Sequence, residues 1–239
     1  MTDQLLRLFD ASIDVAGYPL YWREIVGNLF GFASAIGGLR RRVWAWPVGI
    51  VGNALLFTVF IGAAFALPDG RHPLYGQAFR QVFFIITSVY GWWRWDRSRR
   101  GRAPDAPAIT PRWATASERT RYLLIAAVGI LLSQWAFAEI GAGWPAPRWY
   151  HWADAWIFVG SILATYAMAR GWTDFWLAWI AVDLVGVPLL WVSHYYPSAV
   201  LYAVYGALVV YGFVVWKRAA AQESRTAART VVDRKGADA

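Results

Sequence analysis

In the stretch FWLAWIAVDLVGVPLL, Phe175 to Leu190, a single carboxylate stands among apolar residues. Asp183 follows Trp179 by one helical turn and Trp176 by two, so all three fall on one stripe of a helix. An indole offers a flat surface for stacking, and a carboxylate accepts hydrogen bonds from hydroxyl or imide groups. Together they suit a flat, polar-edged ring bearing a sugar-like chain. A charge at a bilayer centre costs at least ~2.5–3.5 kcal/mol, so an acid there faces protein or a wet cavity. The structural alternative is that Asp183 bonds a neighbouring helix and the indoles anchor the interface. That account covers Trp92, Trp93 and Trp216 well, and Trp179 badly, because Trp179 lies well inside its apolar block.

Other polar side chains lie at similar depth. Asn53 follows the WPVG segment that opens at Trp46, and it is the counterpart of Asp183 if the two halves of the chain repeat. Its alternative is an interhelical hydrogen bond worth roughly 0.6 kcal/mol. Gln81 can both donate to and accept from a bound ring. Tyr202, which takes the place of Gln81 in the second half, shares a helix face with Tyr205. Tyr90 could gate the arginine-rich end or simply anchor there. Asp154 reads as the cap of a helix, with Glu24 as its counterpart. Gly27 and Gly31 have the small-xxx-small spacing of close helix contact. Pro47 and Pro188 break or kink helices, as hinges or as ordinary membrane prolines.

Several chemistries are excluded. Cysteine is absent, which removes disulfides and thiolate chemistry. No phosphate loop, GxSxG or HExxH occurs, and His72, His151 and His194 lack metal-ligand spacing. No metal and no cofactor is expected. An enzyme built on Asp183 and His194 would lack a recognisable nucleophile–base pair, and a passive membrane scaffold would leave the buried acid unused.

The elements that must position these residues are helices in lipid. The chain has 239 residues, 58% hydrophobic and only 16% charged, where a soluble domain carries roughly 25% charged. The apolar residues fall into blocks at about 22–39, 43–67, 77–95, 121–140, 154–170, 172–192 and 198–216, and a span needs about 20 residues. The expected fold class is therefore an all-α integral membrane protein with seven transmembrane helices. Residues 1–21 form a short amphipathic lead-in without a cleavable signal. A first three-helix unit covers 22–95, a polar Pro- and Arg-rich connector 96–120, a linking helix 121–140 and an outer loop 141–153. A second three-helix unit covers 154–216, and a charge-rich tail, frayed or disordered, covers 217–239.

The net charge of +8 raises the question of nucleic acid, but its placement answers otherwise. Most of the 23 basic residues lie in Arg40–Arg42, in the connector, at Arg170 and in the tail from Lys217. Only Arg7, Arg23, Arg71, Arg80 and Arg148 fall on the opposite side. By the positive-inside rule the N-terminus is outside and the C-terminus cytoplasmic.

The halves resemble each other. RRVWAWPVGIVGN aligns with GWTDFWLAWIAVD, so that Trp46 matches Trp176, Asn53 matches Asp183 and Arg40 matches Arg170. YGWWRW matches YGFVVWKR at the ends of the two units. A three-helix unit begins and ends on opposite faces, so a like-oriented second copy requires one helix to cross back. The fourth block does this. Parallel repeats of this kind favour a transporter with its site near mid-membrane.

WPVG with a following Asn, a Gln nine positions before YGWWRW, and WxxWxxxD at Trp176 to Asp183 together resemble the PnuC-type bacterial vitamin transporters. The resemblance runs from Glu24 to Trp216. It implies a SWEET-like 3+1+3 fold in the bacterial inner membrane, facilitated diffusion, trapping of the vitamin by cytoplasmic phosphorylation, and a homotrimer. Gln81, Trp179 and Asp183 carry over as ligand contacts, with Asn53, Trp46 and Trp176 as weaker ones. Nicotinamide riboside members usually carry Asn where this chain has Asp183. WADAWIFVGSILATYAMARGWTDFWLAWIAVDLVGVPL is instead similar to the riboflavin branch found in actinobacteria. Riboflavin is therefore the expected substrate, with nicotinamide riboside or another vitamin such as thiamine as the alternative. Electrostatics alone points the other way, because nicotinamide riboside is a cation that Asp183 would attract.

Overall fold

A computed structural model describes residues 11–15, 18–61, 75–103, 106–140, 149–192 and 196–237. Arg7, Arg71, Arg148, His72 and His194 lie outside the described residues. Strands β1 (Ser12–Val15) and β2 (Tyr18–Tyr21) are followed by helices α1 (Trp22–Leu39), α2 (Ala45–Ile61) and α3 (Tyr75–Arg99). Then come α4 (Ala116–Ile140), α5 (Trp149–Ala169), α6 (Phe175–Val192) and α7 (Tyr196–Ala237). The chain forms two compact units, one up to Trp93 and one from Arg94 onward.

The seven helices of the described residues follow the apolar blocks, with four departures. The lead-in folds as an antiparallel hairpin in which Ser12 pairs with Tyr21 and Val15 with Tyr18. α5 starts at Trp149, so Asp154 lies within the helix rather than at its cap. The tail continues α7 as helix instead of leaving it. Pro47 stands in the first turn of α2, where no intrahelical bond is lost, so it starts that helix and breaks nothing. Pro188 does lie inside α6.

Among the described residues, length and composition alone make three helices able to cross a membrane, over Ala116–Glu139, His151–Ala169 and Val200–Thr226. Ala45–Val59 and Phe175–Leu189 are apolar but shorter. α1 and α3 fall below that standard because they carry charge, Arg23 and Glu24 in one and Arg80, Arg94 and Arg97 in the other.

In the first unit α1 packs on α2 through glycine. A Cβ on Gly52 would stand 2.9 Å from the Gly27 carbonyl oxygen and 3.1 Å from the Gly31 nitrogen, so the spacing of Gly27 and Gly31 does serve close packing. Ser34 donates to the Ala45 carbonyl at 2.7 Å. Arg23 is 1% exposed, and its guanidinium donates to both the carbonyl and the hydroxyl oxygen of Thr58 at 3.0 Å.

In the second unit α4 packs on α5, α5 on α6, and α6 on α7. Ala153 and Ile157 of α5 meet Val182 and Leu189 of α6 in a buried cluster. Trp95 and Trp216 are fully buried with ring centroids 6.3 Å apart, and Trp95 donates its indole N–H to the Ala169 carbonyl.

The two short turns are built alike. After α1, Arg40 donates to Ile36, Arg41 to Gly38 and Arg42 to Gly37; after α5, Arg170 donates to Tyr166, Gly171 to Met168 and Trp172 to Ala167. Both are Schellman endings, which require a left-handed residue just past the helix. Arg41 has φ +56° there and Gly171 has φ +73°.

Candidate functional site

The α6–α7 seam is a ladder of large groups seated against glycines. Near one end the ring of Trp176 lies over Gly212. Two turns along α6, the Asp183 carboxylate oxygen stands 3.4 Å from where a Cβ would sit on Gly206. Three residues further, the Tyr202 ring of α7 lies 3.0 Å from a Cβ position on Gly186. Helices approach closely where side chains are small, and these three glycines hold Trp176, Asp183 and Tyr202 on one seam.

The three differ in burial. Trp176 is 4% exposed, stacked 4.3 Å from the Phe175 ring and edge-on to Trp216. It is held on all sides by packing. Asp183 is half-buried, and its Oδ2 is a buried atom without a hydrogen-bond partner among the described residues. Trp179 is half-buried and packs against the Ala153–Leu189 cluster, on the α5 side of α6. The expected single stripe therefore divides, with Trp176 and Asp183 toward α7 and Trp179 toward α5.

The other expected site residues lie in the first unit. Trp46 is 3% exposed, and its ring would stand 2.5 Å from a Cβ on Gly91. The pairs Trp46–Gly91 and Trp176–Gly212 thus occupy matching positions in YGWWRW and YGFVVW. Asn53 is half-buried on α2. Gln81 is 3% exposed on α3, and its Oε1 has no hydrogen-bond partner among the described residues. Tyr90, half-buried near the arginine-rich end of α3, has its ring 6.2 Å from Trp93. A buried polar atom without a partner costs roughly 1–3 kcal/mol, and Gln81 Oε1 and Asp183 Oδ2 are among several such atoms. No group of three or more metal-ligating side chains occurs among the described residues.

Sequence reasoning missed the connector. Residues 106–115 fold against the α5–α6 turn rather than hanging between helices. Arg112 forms a parallel bridge with Trp172: its N–H donates to the Gly171 carbonyl at 3.0 Å, and its carbonyl accepts from Thr173 at 2.7 Å. Ala108, Ile109 and Ala114 are buried. Asp174 accepts from the Ala114 N–H at 2.8 Å and pairs with Arg119 at 2.7 Å. Glu118 takes both guanidinium nitrogens of Arg112, at 2.7 and 2.8 Å, and is also paired with Arg170. That hydrogen bond to Glu118 raises Arg112 above its ordinary pKa. The signal in the sequence was the set of apolar residues at 108, 109, 111 and 114, hidden among Pro and Arg.

This chain is similar to known proteins. The family model described as nicotinamide mononucleotide transporter matches residues 21–218. The riboflavin/roseoflavin transporter RibM of Streptomyces davaonensis is 38% identical over 225 residues, covering 94% of this chain and 95% of that protein. The nicotinamide riboside transporter PnuC of Escherichia coli is 20% identical, covering 92% of this chain and 95% of that one. Among solved structures, that of the vitamin B3 transporter PnuC superposes with a TM-score of 0.64 at 17% identity, covering 84% of this chain and 83% of that chain. Apolar helices and relatives that are transporters make this a multi-pass membrane protein. The chain belongs to the nicotinamide mononucleotide transporter family, the PnuC family.

Proposed function

We propose that this protein carries riboflavin across the bacterial inner membrane by facilitated diffusion, with the vitamin trapped inside by phosphorylation. The observation that carries the reading is the 38% identity to a riboflavin/roseoflavin transporter along almost the whole of both chains. The N-terminus is outside and the C-terminus cytoplasmic, following the arginines. The fold is a pair of like-oriented three-helix repeats joined by α4. Matching Schellman turns, matching Trp–Gly pairs and a size exchange support the repeat. Phe30 faces Gly52 in the first unit, whereas Gly160 faces Val182 at the equivalent positions of the second.

In the second unit the flavin ring stacks on Trp179, Asp183 accepts from ribityl hydroxyls or the ring imide, and Tyr202 is a further contact. In the first unit Gln81 bonds a ring edge, Asn53 is a further contact and Tyr90 gates the cytoplasmic end, while Trp46 and Trp176 are the weaker ligand contacts of the two units. The working unit is a homotrimer. Nicotinamide riboside is the second reading, favoured by the acid at Asp183 and by the 20% identical relative.

The test is uptake. Proteoliposomes holding the purified chain should take up riboflavin with no ATP and no proton gradient, and level off at equal concentrations inside and out. Uptake of nicotinamide riboside without riboflavin would overturn the substrate. Accumulation that follows an imposed pH gradient would overturn the uniport mechanism.

A further inference from the structure

A groove of about 660 Å³ runs between α4 and the α5–α6 pair, wholly within the second unit. Small residues, Ala126, Ala127, Gly160, Ala178 and Ala181, line it. On α4 it extends from Arg119 to Ile130, about 16 Å of helix rise. That is roughly the depth of one leaflet of a ~30 Å hydrocarbon core. The α4 residues Leu123, Leu124, Ile125, Val128 and Leu131 are each more than half exposed. In a membrane-spanning helix, such a surface faces acyl chains.

The groove is polar only at its arginine-rich end. Arg119, Tyr122, Trp172 and Asp174 line it there. Trp172 is 5% exposed, and both its indole N–H and the Tyr122 hydroxyl are buried without hydrogen-bond partners among the described residues. Both are donors. Arg112, Arg119, Arg121 and Arg170 outnumber Glu118 and Asp174 around this end. Beyond the first turn no hydrogen-bonding side chain is free to meet a polar ring, because the only indole there, Trp156, already donates to the Ala181 carbonyl at 2.9 Å.

We propose that this groove is a binding site for one anionic phospholipid, drawn from the leaflet on the arginine-rich side. One acyl chain lies along the alanines. The phosphate sits by Arg119, and Tyr122 and Trp172 donate to the ester oxygens. An aromatic vitamin fits this site poorly, since the hydrocarbon part offers its polar edges nothing. The site is separate from Trp179 and Asp183, and the proposal does not depend on which vitamin is carried.

The test uses the full chain, purified in detergent and stripped of lipid, with phosphatidylglycerol or phosphatidylcholine added back and bound lipid counted by native mass spectrometry. The expected result is one retained phosphatidylglycerol per chain and at least tenfold weaker retention of phosphatidylcholine. Ala127→Phe, on an exposed position of α4, should abolish retention while the thermal unfolding midpoint stays within a few degrees. Arg119→Gln should weaken phosphatidylglycerol about tenfold and leave phosphatidylcholine unchanged, and it serves as the second variant should Ala127→Phe misfold. Equal retention of both lipids, or retention unaltered by the two substitutions, would overturn the proposal. So would displacement of the lipid by riboflavin, which would make the groove the vitamin site. A change of oligomeric state in Ala127→Phe without loss of lipid would show that a second copy covers this face, and would overturn it as well.

Discussion

Trp179 packs against the Ala153–Leu189 cluster, whereas Asp183 lies against Gly206 of α7. Trp179 leans toward α5 and keeps part of its ring open, so truncation should remove stacking surface without emptying a core. Trp179→Ala is expected to weaken riboflavin binding by about 1–3 kcal/mol, the range found when bases lose an aromatic platform. Titration by flavin fluorescence quenching measures it, and an unchanged affinity would place the ring elsewhere. Asp183 abuts the bare backbone at Gly206 with one oxygen unpartnered. Asp183→Asn should therefore change ligand preference between riboflavin and nicotinamide riboside while the folded yield stays the same. Aggregation of that variant, with unchanged preference in the folded fraction, would mean that the acid serves packing.

Residue type and spacing singled out Asp183, Trp179 and Gln81, and the structure leaves one buried oxygen of Asp183 and one of Gln81 without a hydrogen-bond partner among the described residues. What spacing could not reveal is that Trp176, two turns from Asp183, is sealed in. Its neighbours are Gly212 and Trp216, far along the chain, and no local pattern records them.

At the scale of elements, the helices were readable because a lipid-spanning helix needs a continuous apolar run, and α1 begins and ends where its run does. The connector was not, because its order comes from backbone bonds to Gly171 and Thr173 and from ion pairs across the α5–α6 turn. Exposed pairs contribute little singly, about 0–1 kcal/mol, yet here they fasten one short segment at several points. Asp174→Ala removes the acceptor of both the Ala114 N–H and Arg119. Trypsin should then cut at Arg112 and Arg119 several-fold faster, with transmembrane fragments intact; an unchanged rate would mean that the backbone bridge suffices.

The paired turns make a prediction of opposite signs. At Gly171 the left-handed conformation is native to glycine, and a Cβ would come within 2.7 Å of the Ile109 side chain. Gly171→Ala should cost about 1–2 kcal/mol. At Arg41 the strain is already present, so Arg41→Gly should stabilise by up to about 1 kcal/mol, after the added freedom of the unfolded glycine is offset. Thermal unfolding in detergent measures both, and shifts of the same sign would contradict the shared turn geometry.

At the scale of the whole molecule, composition excluded a soluble enzyme and the placement of arginine argued against nucleic acid, both from simple solvation. The N-terminal strand pair escaped notice because its register is set by backbone pairing, with no alternation long enough to mark strands. The substrate is decided by neither charge nor fold, since an acid in the membrane attracts a cation while the 38% identical relative is a transporter of riboflavin, a neutral vitamin. Direct binding separates the two. Purified protein, titrated with riboflavin, nicotinamide riboside and thiamine while flavin fluorescence is followed, should quench riboflavin saturably and resist competition by the other two. Saturable binding of nicotinamide riboside with no effect on riboflavin fluorescence would contradict the account.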